Sequence, residues 1–288
     1  MRHWLKRVVF AACLLGAQTA AFALGEDEDF VQKESRYLIV HYKKDASNPA
    51  VVEGIIRRGE EYLTEFRQEL GLAPLEYFAK LAPEEKIKVY LYSTEKNYHQ
   101  DNPDPFSWGD AEPDKKSVYI FPDATFNSVI LPHELGHVVF YEAIGPSGYS
   151  QIPKWLNEGV ACHMERGSGK LRMEPYAREA LLKRNFVPLK DLDRFRLRAR
   201  SEEEVFVFYG EATSAVNFLI NTYGPDSFKA FCRYLKEGHS LDEAVKLSFS
   251  GLNNIDDVGT AWETDLYKRV GVDRQNRRDH EREVGEPW

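Results

Sequence analysis

The sequence predicts an α+β fold: a first part in which strands and helices alternate, then a part that is helical throughout. Three observations carry this. Apolar residues make up 43% and aromatic residues 13% of the 288, enough to bury a sizeable core. Between Arg36 and Phe121 short runs of period two alternate with a helical pattern, and beyond Phe126 the period-two runs stop. The length suits one large domain, or two that share an interface.

The elements follow in order. Tyr37 to Tyr42 is a β-like run. Ala50 to Leu70 places Val52, Ile55, Ile56, Tyr62, Leu63, Phe66 and Leu70 at helical spacing and stops at Gly71, a natural helix end. Ile87 to Tyr92 is a second strand. Asn102-Pro103-Asp104-Pro105 marks a loop, and the polar stretch Asn102 to Lys116, with Trp108 and Gly109, reads either as a cleft wall or as a plain surface loop. Ser117 to Phe121 is a third strand, closed by Pro122, and offers an edge on which an extended peptide could pair. Helical patterns then cover 128–144, 153–166, 172–184, 203–223, 225–237, 240–249 and 255–270. Arg194 to Glu204 sets Arg194, Arg196, Arg198 and Arg200 against Glu202, Glu203 and Glu204, and reads as a solvated connection. Asp273 to Trp288 is charged and nearly without apolar residues, a tail expected to stay mobile.

Met1 to Ala23 has the features of a secretory signal. Arg2, Lys6 and Arg7 form a positive start, Val8 to Leu15 an apolar centre, and Ala21-Phe22-Ala23 a small-x-small cleavage pattern. Gln18 and Thr19 interrupt a run already short for a membrane anchor, and Cys13 lies inside the apolar stretch, not at its end as a lipidation site requires. The expectation is an exported protein, periplasmic or extracellular, with no stable membrane insertion once the signal is removed. The net charge of −8 becomes more acidic on cleavage and argues against nucleic acid as a partner. Cys162 and Cys232 then remain. They can pair in an oxidising compartment, or stay as buried thiols in their apolar helical surroundings.

The chemistry is concentrated in His133-Glu134-Leu135-Gly136-His137, an H-E-x-x-H motif. On a helix, positions i and i+4 share one face, so both imidazoles can reach a single ion, zinc above all, while the glutamate between them can touch a water on that ion but not the ion itself. Val129, Ile130, Leu131, Val138, Val139 and Phe140 make the helix apolar and so buried. Pro132 requires that the helix start late or bend there. A catalytic zinc takes a third protein ligand. A histidine following the motif at metzincin spacing is excluded, because Phe140 and Ala143 stand where Gly and His are required. Glu158 is the alternative. Pro153 suits the first turn of a helix, Glu158 falls one turn in, and Gly159 allows a close helix–helix approach.

The pair His-Glu-Leu-Gly-His (133–137) and Trp-Leu-Asn-Glu-Gly (155–159) resembles the gluzincin metallopeptidases, and in particular the peptidase MA-like domains. Phe208-Tyr209-Gly210-Glu211-Ala212, Ser240-Leu241-Asp242-Glu243-Ala244 and the helix of Trp262 extend the likeness to near Val270. The resemblance implies a zincin-like fold, with a mixed sheet and active-site helix within 24–145 and the third ligand in a helical part, 146–272. It implies that His133, His137 and Glu158 bind one Zn2+ and that Glu134 is the base. It also offers Tyr209, inward on the stripe 205, 209, 212, 216, 219 and 223, as an oxyanion donor, against the plainer reading of a core tyrosine; Tyr141 and Tyr149 compete for that role more weakly. His163, His41, His99, His239 and His280 carry no expected role.

The implied function is a zinc metallopeptidase acting on peptide or protein. The chain lacks the G-x-M-E-N segment with which aminopeptidases of this group anchor a substrate amine, which favours internal cleavage. The alternatives are a zincin-fold binding or scaffolding module of the envelope without turnover, and a zinc hydrolase of a non-peptide amide or ester.

Overall fold

A computed structural model describes residues 30–43, 48–77, 81–102, 104, 107–122, 128–166, 172–198 and 201–271. The expected signal, 1–23, and tail, 273–288, lie outside these residues.

Five strands form one mixed sheet: β1 (Phe30–Glu34), β2 (Leu38–Lys43), β3 (Ile87–Leu91), β4 (Gly109–Glu112) and β5 (Ser117–Ile120), in the order β1-β2-β3-β5-β4. The three period-two runs of the sequence are the central strands β2, β3 and β5, which pair in parallel. Parallel neighbours need a crossover. Helix α1 (Pro49–Glu69) supplies it between β2 and β3, capped at its start by the Asn48 side chain and ended at Gly71, whose φ is 76°. The short helix α2 (Glu95–Asp101) lies on the connection from β3.

The inner sheet face (Leu38, Val40, Val89, Leu91, Val118, Ile120) is fully buried in a core shared with α1 and α3 (Ile130–Tyr149). The outer face carries a stacked row of His41, Tyr90 and Tyr119, and a small aromatic cluster in which Tyr98 of α2 packs with Tyr92 and Phe121.

Two expectations for this region are corrected. The polar stretch 102–116 is not all loop, because Gly109–Glu112 is strand β4, antiparallel to β5 and joined to it through Pro113–Lys115 with Lys116 left-handed. Consequently β5 is not an edge: it lies between β3 and β4, and the edge belongs to β4. Gly-Asp-Ala-Glu has little strand propensity of its own. The open backbone of β5 recruits it.

The helical half comprises α4 (Lys154–Met164), α5 (Glu174–Lys183), α6 (Leu189–Arg198), α7 (Glu202–Tyr223), α8 (Pro225–Lys236), α9 (Leu241–Ser248) and α10 (Ile255–Val270). All but α6 coincide with helical patterns of the sequence. The charged segment 194–204 is therefore not a solvated connection: its start is the last turn of α6, and its glutamates open α7, where Ser201 and Glu204 cap each other reciprocally. Arg196 lies 3.9 Å from Asp104, both largely sheltered. Helix α6 also caps α4, since the Asp193 carboxylate accepts from the backbone N–H groups of Lys154 (2.8 Å) and Trp155 (2.9 Å).

Helix α3 is buried nearly all round. It leaves helical geometry at Gly145 (φ 69°) before a final turn through Pro146 to Tyr149. Helix α4 lies along both α3 and α7, with Trp262 of α10 donating to Ser214 of α7 behind it. Gly159 is what lets α4 and α7 meet, because a Cβ there would stand 2.5 Å from the Ala212 carbonyl oxygen and 2.7 Å from Val216 Cγ2. No helix among the described residues is long and apolar enough to cross a membrane.

Gly159→Val is expected to force α4 away from α7 and to cost about 1–3 kcal/mol as overpacking, read as a lower urea midpoint. A variant as stable as the parent would show that the helices do not need this contact.

Candidate metal centre

Helix α3 begins at Ile130, so Pro132 falls in its first turn, where no helical N–H is missed, and the N–H of His133 already bonds to the Val129 carbonyl (3.0 Å). The helix therefore starts late, as Pro132 required. His133 and His137 follow one turn apart with ring centroids 4.9 Å from each other. From α4, Glu158 turns towards them: its Oε2 lies 3.4 Å from His133 Nε2 and 3.7 Å from His137 Nε2. The spacing that suggested Glu158 thus corresponds to a real convergence of three ligand atoms within 4.8 Å of one another.

All of these residues, with Glu134, are at most 3% exposed. Yet His133 Nε2, His137 Nε2, Glu158 Oε2 and both oxygens of Glu134 have no hydrogen-bond partner. A buried polar atom left unpaired costs roughly 1–3 kcal/mol, so three of them facing one point describe a cradle for a cation. The donor set suits zinc: imidazole nitrogens and a carboxylate oxygen, each bonding at about 2.0–2.2 Å, which on a tetrahedral ion puts ligand atoms about 3.3 Å apart.

The other nitrogen of each imidazole is held from outside. His133 Nδ1 lies 3.2 Å from Glu165 Oε1, and Arg172 donates to both Glu165 oxygens (3.3 and 3.1 Å). His137 Nδ1 lies 3.2 Å from Asn157 Oδ1, and Asn157 Nδ2 donates to the Tyr149 hydroxyl (3.2 Å). An acceptor at each Nδ1 selects, in the neutral ring, the tautomer that is protonated there and aims Nε2 at Glu158. These outer partners were not expected from the sequence. A signal was present, because Glu158, Cys162 and Glu165 recur at i, i+4 and i+7, one helical face, and Asn157 adjoins Glu158.

Cys162 Sγ is 3.8 Å from His133 Nδ1, so His133, Cys162 and Glu165 form a second close trio. The Arg172 guanidinium already supplies positive charge there, and the trio serves as support for His133. Both Cys162 and Cys232 are buried free thiols, the second of the two readings left open for them.

Side-chain electrostatics favours a cation at the cradle. Burial pushes the Glu134 carboxyl well above the usual carboxylate range and brings His137 down to about 4, so His137 is neutral and able to ligate at pH 7. Burial alone would lower His133 as well, but Cys162, Glu158 and Glu165 around it outweigh that and hold it well above the ordinary value. Burial also raises the Cys162 thiol. Negative charge that draws a proton onto His133 will equally draw a metal ion.

Tyr209 is buried on α7 with its ring 6.4 Å from that of His133, nearly perpendicular to it. Tyr149 supports Asn157, and Tyr141 packs edge-on against Tyr149. His163 turns away to Asn217 Oδ1 (2.7 Å) and Glu69, His41 stacks on Tyr90, His99 meets the Asn102 carbonyl, and His239 packs on Tyr234.

A mixed five-stranded sheet, a buried helix bearing two histidines and a helical half that returns a glutamate define an α+β zincin-like fold. Residues 69–268 match the model of the Peptidase MA superfamily, and the chain belongs to that superfamily. The matched span runs from the end of α1 into α10 and so contains all of the residues that converge here. A search among curated proteins found no match. Membership points to a metallopeptidase.

Because Glu165 is buried and held by Arg172, Arg172→Met is expected to strand its charge and destabilise the fold by on the order of 3 kcal/mol, measured by urea unfolding. An unchanged midpoint would mean that Arg172 does not neutralise Glu165.

Proposed function

We propose that this chain is an exported zinc-dependent metallopeptidase that cleaves peptide bonds internally, with His133, His137 and Glu158 as zinc ligands and Glu134 as the catalytic base. The observation that carries the reading is the meeting, in a dry interior, of three unpaired donor atoms from α3 and α4.

Zinc bound there supplies Lewis acidity, lowering the pKa of a water towards about 7 and polarising a carbonyl. The rest is done by the chain. Glu134 takes the proton of the attacking water and delivers it to the leaving amide nitrogen, a role for which a carboxyl raised by burial is suited. Tyr209 donates a hydrogen bond to the oxyanion. Glu165 with Arg172, and Asn157 with Tyr149, keep the imidazoles aimed while the charge at the site changes. An extended substrate lies along the edge strand β4, the role first expected of β5.

Export is supported by the sequence features of Met1 to Ala23. Glu134 argues against a silent scaffold: a fully buried carboxylate with both oxygens unpaired is a cost that turnover explains and folding does not.

Purified protein is expected to contain one zinc per chain, and Glu158→Ala to lose it, read by elemental analysis. Glu134→Gln keeps the metal and lowers hydrolysis of a mixed peptide library by at least about 10²–10⁴-fold. Zinc without hydrolysis in the parent would leave the scaffold reading, and hydrolysis of esters or non-peptide amides alone would leave the third. Tyr209→Phe should reduce kcat by roughly 10²-fold with KM little changed. Full activity in that variant would return Tyr209 to the core.

A further inference from the structure

We propose that Gly109, locked in place by Ser107, is a positioning residue that leaves room for the Glu134 carboxylate and thereby sets where this base stands. The inference rests on the peptidase reading of Glu134.

Gly109 opens β4 and pairs with Ile120. A Cβ built on it would lie 2.6 Å from Glu134 Oε1, 3.0 Å from Glu134 Cδ and 2.9 Å from Ile130 Cγ2. Neither neighbour can yield easily, since both side chains are buried on α3. Both Glu134 oxygens lie in this confined space without a partner. The glycine is thus the wall of the carboxylate's pocket on the sheet side, and any larger residue would take up the room that the carboxylate now occupies.

The wall is fixed by a chain of buried hydrogen bonds. Ser107 Oγ donates its one proton to the Gly109 carbonyl (2.8 Å). It must then accept from its other neighbours, and it does so from Asn102 Nδ2 (3.1 Å) and from the Tyr98 hydroxyl. Tyr98 in turn accepts from Asn102 Nδ2 (2.8 Å), and Asn102 Oδ1 accepts from the Asp104 N–H (3.1 Å). Both hydroxyl protons are spent, and all three side chains are buried. A satisfied buried network of this kind specifies one geometry and resists drift. What it specifies here is the approach of the Gly109 backbone to Glu134. Misplacement of a catalytic group by about 1 Å is enough to cost on the order of 10²-fold in rate.

The test uses the full-length zinc-loaded protein and a peptide that it cleaves. Gly109→Ala is expected to keep one zinc per chain and a KM within about threefold of the parent, while kcat falls about 10²-fold. Ser107→Ala should show the same split with a smaller loss. A double-mutant cycle then separates positioning from general damage: Glu134→Asp, whose shorter side chain withdraws from the new methyl, should cost far less in the Gly109→Ala background than in the parent. Parental kcat in Gly109→Ala, or strict additivity in the cycle, overturns the proposal. Should Gly109→Ala fail to fold, an unchanged kcat in Ser107→Ala overturns it equally. Full turnover by Glu134→Gln would instead overturn the assignment of Glu134 as the base, and a dead Glu134→Gln beside a fully active Gly109→Ala would refute this inference alone.

Discussion

Two imidazole nitrogens and a carboxylate oxygen, drawn from two helices into the buried interior, have nothing among the described residues to bond to but one another's common centre. That condition costs free energy unless a cation meets it, and the architecture is organised around sustaining it. The α3 helix is apolar nearly all round and so carries its histidines into the core. The α4 helix lies between it and α7, which it meets through a glycine that lets the Ala212 carbonyl approach, and is held at its start by a carboxylate from α6. None of these contacts touches the three atoms. Each of them determines that the atoms meet.

The two histidines are steadied differently. His133 leans on a carboxylate that is itself neutralised by Arg172, whereas His137 leans on an amide held by Tyr149. A charged acceptor raises the basicity of a ligand imidazole more than a neutral one does. The contrast agrees with the opposite directions in which the two rings are shifted, His133 up and His137 down. The pair is therefore electrostatically unequal before any ion arrives. Cys162, Glu158 and Glu165 around His133 hold positive charge there, and the burial of His137 keeps its lone pair available.

Opposite the helices, the sheet contributes through its least regular member. Strand β4 is short, acidic and glycine-initiated, and its outer side is tied down by an aromatic and amide cluster around Tyr98. Its importance lies in backbone position: it places a residue without a side chain against the buried glutamate. Main-chain placement of this kind needs rigid support, and the buried hydroxyls and amide of Tyr98, Asn102 and Ser107 provide it.

The sequence by itself determined the features whose cause is local. Short β-like runs over Tyr37 to Tyr42, Ile87 to Tyr92 and Ser117 to Phe121 marked the central strands, and helical periodicity marked α1, α3, α4, α5 and α7 to α10, because side-chain pattern follows directly from backbone geometry. The i, i+4 histidines, and Glu158 one turn into a helix opened by Pro153, were legible for the same reason. Tertiary structure alone decided the rest. Strand β4 exists because β5 offers it an unpaired edge, not because Gly-Asp-Ala-Glu prefers extension, and that pairing moved the sheet edge away from β5. Helix α6 was hidden by charges that read as solvated until Asp193 found the start of α4 and Arg196 found Asp104. Glu165, Asn157, Arg172 and Gly109 acquire meaning only through partners far away in the chain. Spacing along a sequence encodes which side chains share a face, but which faces come together depends on packing summed over the whole core.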